Sequence, residues 1–254
     1  MSNEIELWIG TRQLSARVLH RRLLREPMAA SAITVPFTGN LSDMALAITN
    51  LLAQLGAAST LRVCVSDAYC RYLLLPRPAG ARNKQELDAA ISARFQSSFG
   101  ENADDWILTT DSPPMAKFDL ACALRRRLYE AIQAGAQRLP LVSLQPLWIW
   151  CAQQTARKCK ADHWLIVAEG QGVTSGLFRS GQCVGVRSSR QFTADDTLAN
   201  IVLRESALYA QSDGVRHVCV YGKALLQSAK TLSDDFVVTV ASLPAHWDAA
   251  GGQA

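Results

Sequence analysis

The chain has 254 residues, 49% of them hydrophobic and 19% charged, with a net charge of +4. That length and apolar content suit one large domain or two lobes with sizeable cores, and they exclude an intrinsically disordered chain. The positive charge gathers in Arg21-Arg22-Leu23-Leu24-Arg25 and Arg125-Arg126-Arg127. Such runs read as solvated faces. No nucleic-acid module surrounds them, so no nucleic acid is expected, whereas an acidic partner or an anionic membrane surface stays open.

The first hairpin is read from residues 5–9 and 14–19. Ile5, Leu7 and Ile9 alternate with Glu6 and Trp8, and Gly10-Thr11-Arg12-Gln13 forms the turn. A third strand is expected at 32–37. Residues 41–55 carry Met44, Ile48, Leu51, Leu52 and Leu55 at helical spacing, with Ser42 as N-cap and Gly56 as the stop. Strands follow at 61–66 and 69–75. The second stops at Pro76, and Pro78-Ala79-Gly80 reads as a loop. A helix over 84–99, capped by Asn83, presents Leu87, Ile91 and Phe95. A strand at 106–110 is broken by Ser112-Pro113-Pro114. The strand 118–124 enters a helix over 125–134 that Gly135 ends. A short strand at 141–144 and a helix at 146–154 close this half.

The order then restarts. Strands at 164–168, 174–179 and 182–187 surround a Gly170-Gln171-Gly172 turn, and an amphipathic helix over 197–209 carries Leu198, Ile201, Val202, Glu205 and Leu208. A strand at 215–221, a helix at 224–232, a last strand at 236–240 and a frayed tail at 249–254 complete the chain. Hairpin, helix and strand thus occur twice, at 5–65 and 164–221, which argues for two α/β lobes with a ligand-sized cleft between them.

The seven cysteines are odd in number and form no C-x-x-C pair. Several lie in apolar runs such as Val63-Cys64-Val65. They read as buried reduced thiols, which favours a cytosolic setting. The N-terminal residues lack the pattern of a signal peptide, and no apolar window approaches the length of a transmembrane helix. A membrane role is therefore expected only through partners. His20, His163, His217 and His246 lack metal-ligand spacing, so no metal site is expected. No nucleophile elbow, P-loop or zinc-protease motif occurs, and no catalytic residue is assigned. Trp148-Ile149-Trp150 reads as core or lobe-interface packing, with a partner groove as the alternative.

Two hairpins opening two α/β lobes are the layout of the actin and sugar-kinase superfamily, in which each hairpin turn cradles phosphates through backbone N–H groups. Residues 61–76 resemble the PilM pattern of strand, polar break and second strand ending in Leu-Pro. Glu86-Leu87, Ile91 and Arg94-Phe95 resemble that family's following helix. The stretch from Leu120 to Trp150, through Ala134-Gly135 and Leu141-Val142-Ser143-Leu144-Gln145-Pro146-Leu147, is similar to the family's segment ending in Val-Asp-Val-Glu-Pro. The chain thus resembles the PilM/GspL family of type IV pilus and type II secretion components over residues 4–222.

The resemblance implies an actin-like ATPase (ribonuclease H-like) two-lobed fold with a small inserted α+β subdomain. The first lobe would comprise 1–67 plus 141–158, the insert 68–140 and a reduced second lobe 159–248. It implies a cytoplasmic protein peripheral to the inner membrane. Its partner would be the cytoplasmic segment of a single-pass pilus or secretion protein, with the assembly ATPase as a further partner. The nucleotide cleft would be vestigial, formed by Gly10, Thr11, Gly170, Gly172, Thr174 and Gly222. The family's first hairpin opens apolar-Asp-apolar-Gly; here Leu7-Trp8-Ile9-Gly10 stands there. The second should repeat it; here Val167-Ala168-Glu169-Gly170 does, with Glu169 one position out of register. Trp and Ala supply no oxygen ligand for Mg²⁺. No cofactor and no ATPase activity are therefore expected, and an indole at position 8 would intrude on a phosphate pocket if it faced one. An active ATPase or kinase of the same superfold, and an unrelated α/β binding protein, are the alternatives.

Overall fold

The computed structural model describes residues 2–21, 28–29, 31–55, 58–76, 83–111, 117–137, 139–189, 197–225, 232 and 235–247. The chain forms two compact units. One comprises Met1–Tyr69, Arg127–Trp150 and Leu243–Ala254, and the other Cys70–Arg126 and Cys151–Ser242.

The first unit is built on β1 (Ser2–Ile9), β2 (Gln13–Arg21), β3 (Met28–Ala29), β4 (Ile33–Pro36), β5 (Thr60–Val65) and β9 (Leu141–Pro146). Their order is β3-β2-β1-β5-β9, with β4 also on β2. β1 is antiparallel to β2 and parallel to β5. It is buried on both faces: Ile5, Leu7 and Ile9 on one, Glu4 and Trp8 on the other. A carboxylate in that position needs a partner, and Arg62 of β5 reaches Glu4.

α1 (Leu41–Ala53) follows β4 and buries Met44, Ile48, Leu51 and Leu52. Its N-cap is Asn40 rather than Ser42: the Asn40 side chain accepts from the Ser42 amide. The helix stops at Ala53, so Leu55 lies beyond it, and Gly56 lies outside the described residues.

α3 (Arg126–Ala136) packs on α1, and here the expected stop at Gly135 is wrong. Gly135 lies inside the helix because a Cβ there would sit 2.7 Å from Ile48 Cβ and 2.8 Å from Ala45 O. The glycine allows two helices to touch backbone to side chain. Thr49 Oγ1 marks the same approach by donating to Gly135 O at 3.3 Å.

In the second unit, β6 (Cys70–Pro76), β8 (Phe118–Arg125) and β7 (Trp106–Asp111) form an antiparallel sheet in the order β6-β8-β7, covered by α2 (Lys84–Phe99). Asn83 caps α2 as expected, accepting from the Glu86 amide. Ile91 and Phe95 supply its buried stripe against Leu75, Ala121, Trp106 and Ala123. Trp106 meets two guanidinium groups, those of Arg71 and Arg125, 5.1 and 4.9 Å from its ring. Glu101 bonds Arg71 at 2.8 Å and lies 3.9 Å from Arg125. Arg126 donates to the carbonyls of Asp104 and Trp106. Two of the three arginines read as a solvated run therefore hold this subdomain together. The run at 21–25 lies almost wholly outside the described residues.

The larger sheet of this unit has the order β12-β11-β10-β13-β14. Its strands are β10 (His163–Glu169), β11 (Gly172–Arg179), β12 (Gln182–Ser189), β13 (His217–Tyr221) and β14 (Val237–Ala241). α4 (Leu147–Lys158) precedes β10, and α5 (Leu198–Leu208) links β12 to β13. Leu198, Ile201 and Val202 of α5 pack on Trp164, Ile166, Val218 and Val220. The expected stripe holds as far as Glu205, which is buried and accepts from Arg204 at 3.2 Å, but Leu208 is exposed. Of the helix expected at 224–232, the described residues show a 3-10 turn at Lys223–Leu225 and a bend at 232.

The three-part division expected from the sequence differs from these units at several places. α3 groups with the first sheet, residues 70–126 group with the second, and the chain from Leu243 returns to the first. Cys64, Cys70, Cys151 and Cys219 are buried, and Cys122, Cys159 and Cys183 are half-buried.

Candidate functional site

The first hairpin turn is closed by Gly10 N donating to Gln13 O at 2.9 Å. Tyr69 Oη donates to Gly10 O at 3.3 Å, and Ser66 N donates to Ile9 O at 2.8 Å. Gly10 is buried and Thr11 exposed. A Cβ on Gly10 would lie 3.0 Å from Trp8 Nε1, so glycine is needed because the preceding indole folds back over the turn.

That indole is 1% exposed and stacks on Trp247 with ring centroids 5.2 Å apart and planes 17° apart. Trp150 meets Trp247 edge-on at 4.8 Å. Gln13 donates to the carbonyls of His246 and Trp247 at 3.4 Å. His246 Nε2 lies 3.7 Å from Glu6 Oε2, and Glu6 is itself paired with Arg17 at 2.6 Å. Burial, reinforced by the Arg17 charge, pushes the His246 pKa down to about 4, so it is neutral at pH 7. The carboxylate-bearing position of the resemblance is thus the floor of an aromatic cluster. The ring partner of Trp8 is Trp247, which sequence reading left aside because it comes from the segment after the last strand. The available signal was Pro244 followed by His246-Trp247: an aromatic residue behind a turn-forming proline has an apolar ring to bury. Trp247 N does close that turn onto Pro244 O at 2.8 Å.

In the second hairpin Gly170 takes a left-handed φ of +57°, with nothing near the place of a Cβ. Gly172 pairs with Glu169 across the turn. Thr174, expected to line a phosphate loop, is 3% exposed and its hydroxyl bonds that of Ser188 at 3.0 Å. It belongs to the β11–β12 ladder, two residues too deep for a turn. Ala168 is 5% exposed on the central strand, and Glu169 is half-buried at the strand end. Gly222, at φ +107°, follows β13. A Cβ there would fall 2.2 Å from Ala168 O, so this glycine serves the close approach of two strand ends. Of the six predicted residues, Gly10 and Thr11 share the first turn, Gly170 and Gly172 share the second, and Gly222 touches Ala168.

Several solved structures are similar over nearly the whole chain. A protein with actin-like ATPase fold from Bacteroides thetaiotaomicron shares 9% identity over 94% of this chain and 91% of its own, with a TM-score of 0.62. The chain has an actin-like ATPase fold. A PilM–PilN type IV pilus biogenesis complex gives 13% identity, coverage of 94% and 88%, and a TM-score of 0.64. The cytoplasmic domain of EpsL, an inner-membrane component of the type II secretion system of Vibrio cholerae, gives 9% identity, 96% and 90%, and 0.56. No family model matches the sequence, and no curated protein does.

On the actin-like ATPase fold, the strand-end positions 8 and 168 offer an indole and a methyl group. Among the described residues no group of three or more His, Cys, Asp or Glu side chains is placed to hold a metal ion. No described helix is long and apolar enough to cross a membrane.

Proposed function

We propose that this chain is a degenerate actin-like ATPase acting as a scaffold in the inner-membrane assembly platform of a type IV pilus, type II secretion or DNA-uptake system. It would sit in the cytoplasm, bind the cytoplasmic segment of a single-pass membrane protein, and hydrolyse no ATP. The likeness to a PilM–PilN complex and to the EpsL cytoplasmic domain supports the setting. The observation that carries the loss of activity is Trp8. Where the resemblance calls for a metal-organising carboxylate, an indole lies buried under Trp247. Phosphoryl transfer depends on positioning and on charge neutralised through the metal, and every ~1.4 kcal/mol lost is tenfold in rate.

Calorimetry with Mg-ATP tests the catalytic half: no heat of binding and no phosphate release are expected. Micromolar binding that disappears in Glu169→Ala would overturn the reading in favour of an active ATPase or kinase. Purification from detergent-solubilised membranes tests the other half, with a single-pass pilus or secretion protein as the expected companion. Arg125 and Arg126 hold the α2 subdomain, so Arg127, exposed at the start of α3, is the arginine of that run to reverse when mapping a docking face.

A further inference from the structure

The segment Leu243–Trp247 is held to the first hairpin differently from everything around it. β1 is fixed by residue-for-residue ladders to β2 and β5. The segment makes no ladder. Among the described residues its ties to that hairpin are the Trp8 ring contact, two long bonds from Gln13 and the approach of His246 to Glu6, and Trp150 of α4 meets the same indole. Two of its polar atoms, His246 Nε2 and Trp247 Nε1, are buried without a hydrogen-bond partner among the described residues. An unsatisfied buried donor or acceptor weakens docking, and a segment without ladder bonds can open without global unfolding.

We propose that Leu243–Trp247 is a releasable strap whose indole plugs a slot between Trp8 and Trp150, and that protonation of His246 frees it. The charged groups facing His246 are Glu6 of β1 and Arg17 of β2. Glu6 is committed to Arg17 at 2.6 Å and stands 3.7 Å from the imidazole, too far for a hydrogen bond. Arg17 repels an imidazolium. Among the described residues a proton taken by His246 therefore finds no counter-charge that is not already paired in the docked state, and it finds full hydration in the released one. Acid shifts the equilibrium toward release. The proposal is independent of the scaffold role, since it concerns one end of one unit.

Hydrogen–deuterium exchange on the intact wild-type chain, corrected for intrinsic rates, decides it. At pH 7 the amides of Ala245, His246 and Trp247 should be at least about a hundredfold less protected than that of Leu7. From pH 7 to pH 5 their opening constant should rise about tenfold or more, and His246→Gln should abolish most of that rise. Strap amides protected as well as Leu7 at both pH values would show a fixed part of the core and overturn the proposal. An acid response undiminished in His246→Gln would overturn the role of the histidine.

Discussion

In the first unit β1 runs between β2 and β5; in the second β10 runs between β11 and β13. Each central strand is antiparallel to one neighbour, parallel to the other, and buried on both faces. The strand ends are then filled in opposite ways. At the end of β1 a large ring, Trp8, demands a slot, and the slot is completed by Trp247 from the far end of the chain. At the end of β10 a small residue, Ala168, lets backbone close in, and Gly222 lies against its carbonyl. The same topology thus tolerates a bulky or a minimal residue at equivalent places, provided a distant residue supplies the complementary volume. Neither position 8 nor position 168 carries a side-chain oxygen.

The largest expected effect comes from forcing the two ends to resemble each other. Trp8→Asp restores a carboxylate but buries an unpaired charge in the space of an indole. It should cost more than about 4 kcal/mol in urea unfolding and bring no Mg-ATP binding. A folded Trp8→Asp protein that binds Mg-ATP would show that the indole alone had blocked the site.

Gly222→Ala attacks the other end. With its Cβ 2.2 Å from Ala168 O and φ at +107°, the variant should lose about 3 kcal/mol or more by the same measurement. Gly170→Ala, with φ +57° and open space, should lose about 1 kcal/mol. Equal losses would mean that the strand ends are not in tight contact.

Acidification distinguishes the ends by charge. His246 has its folded pKa pushed below the unfolded value to about 4. The unfolded chain therefore binds the proton first, and stability is lost as pH falls from about 6.5 toward 4. Between pH 7 and pH 5 this group should account for about 2 kcal/mol of loss, absent in His246→Phe. A stability profile identical in the two proteins would place His246 outside the cluster.

The smallest effect should come from Arg127→Asp, within about 0.5 kcal/mol of wild type in thermal unfolding, whereas Arg126→Asp should cost about 1–2 kcal/mol by freeing the carbonyls of Asp104 and Trp106. The neighbours differ because only one of them has a job inside the subdomain.

Much of the architecture was legible in the residues. Period-two and helical spacing located both hairpins, α2 with its Asn83 cap, and the restart at β10, because amphipathic patterning is local and each element carries its own apolar face. The absence of a carboxylate at positions 8 and 168 was likewise a matter of residue identity. What the pattern could not carry was contact between distant residues. Gly135 looks like a helix stop until Ile48 is seen to occupy the space of its side chain. Arg125 and Arg126 are exposed as a charge run suggests, but only the fold shows that they also reach Trp106 and the Asp104 carbonyl. Glu205, read as one of a helical series, is buried under the exposed Arg204, whereas Leu208 of the same series is exposed.

The sequence by itself determined the α/β class, the doubled hairpin order and the identities Trp8 and Ala168, since these follow from spacing and side-chain chemistry within a few residues. Tertiary structure alone decided that the chain after β14 returns to the first hairpin and seats Trp247 on Trp8. A stacking contact between residues 8 and 247 depends on the path of the whole chain between them, and no local periodicity encodes it.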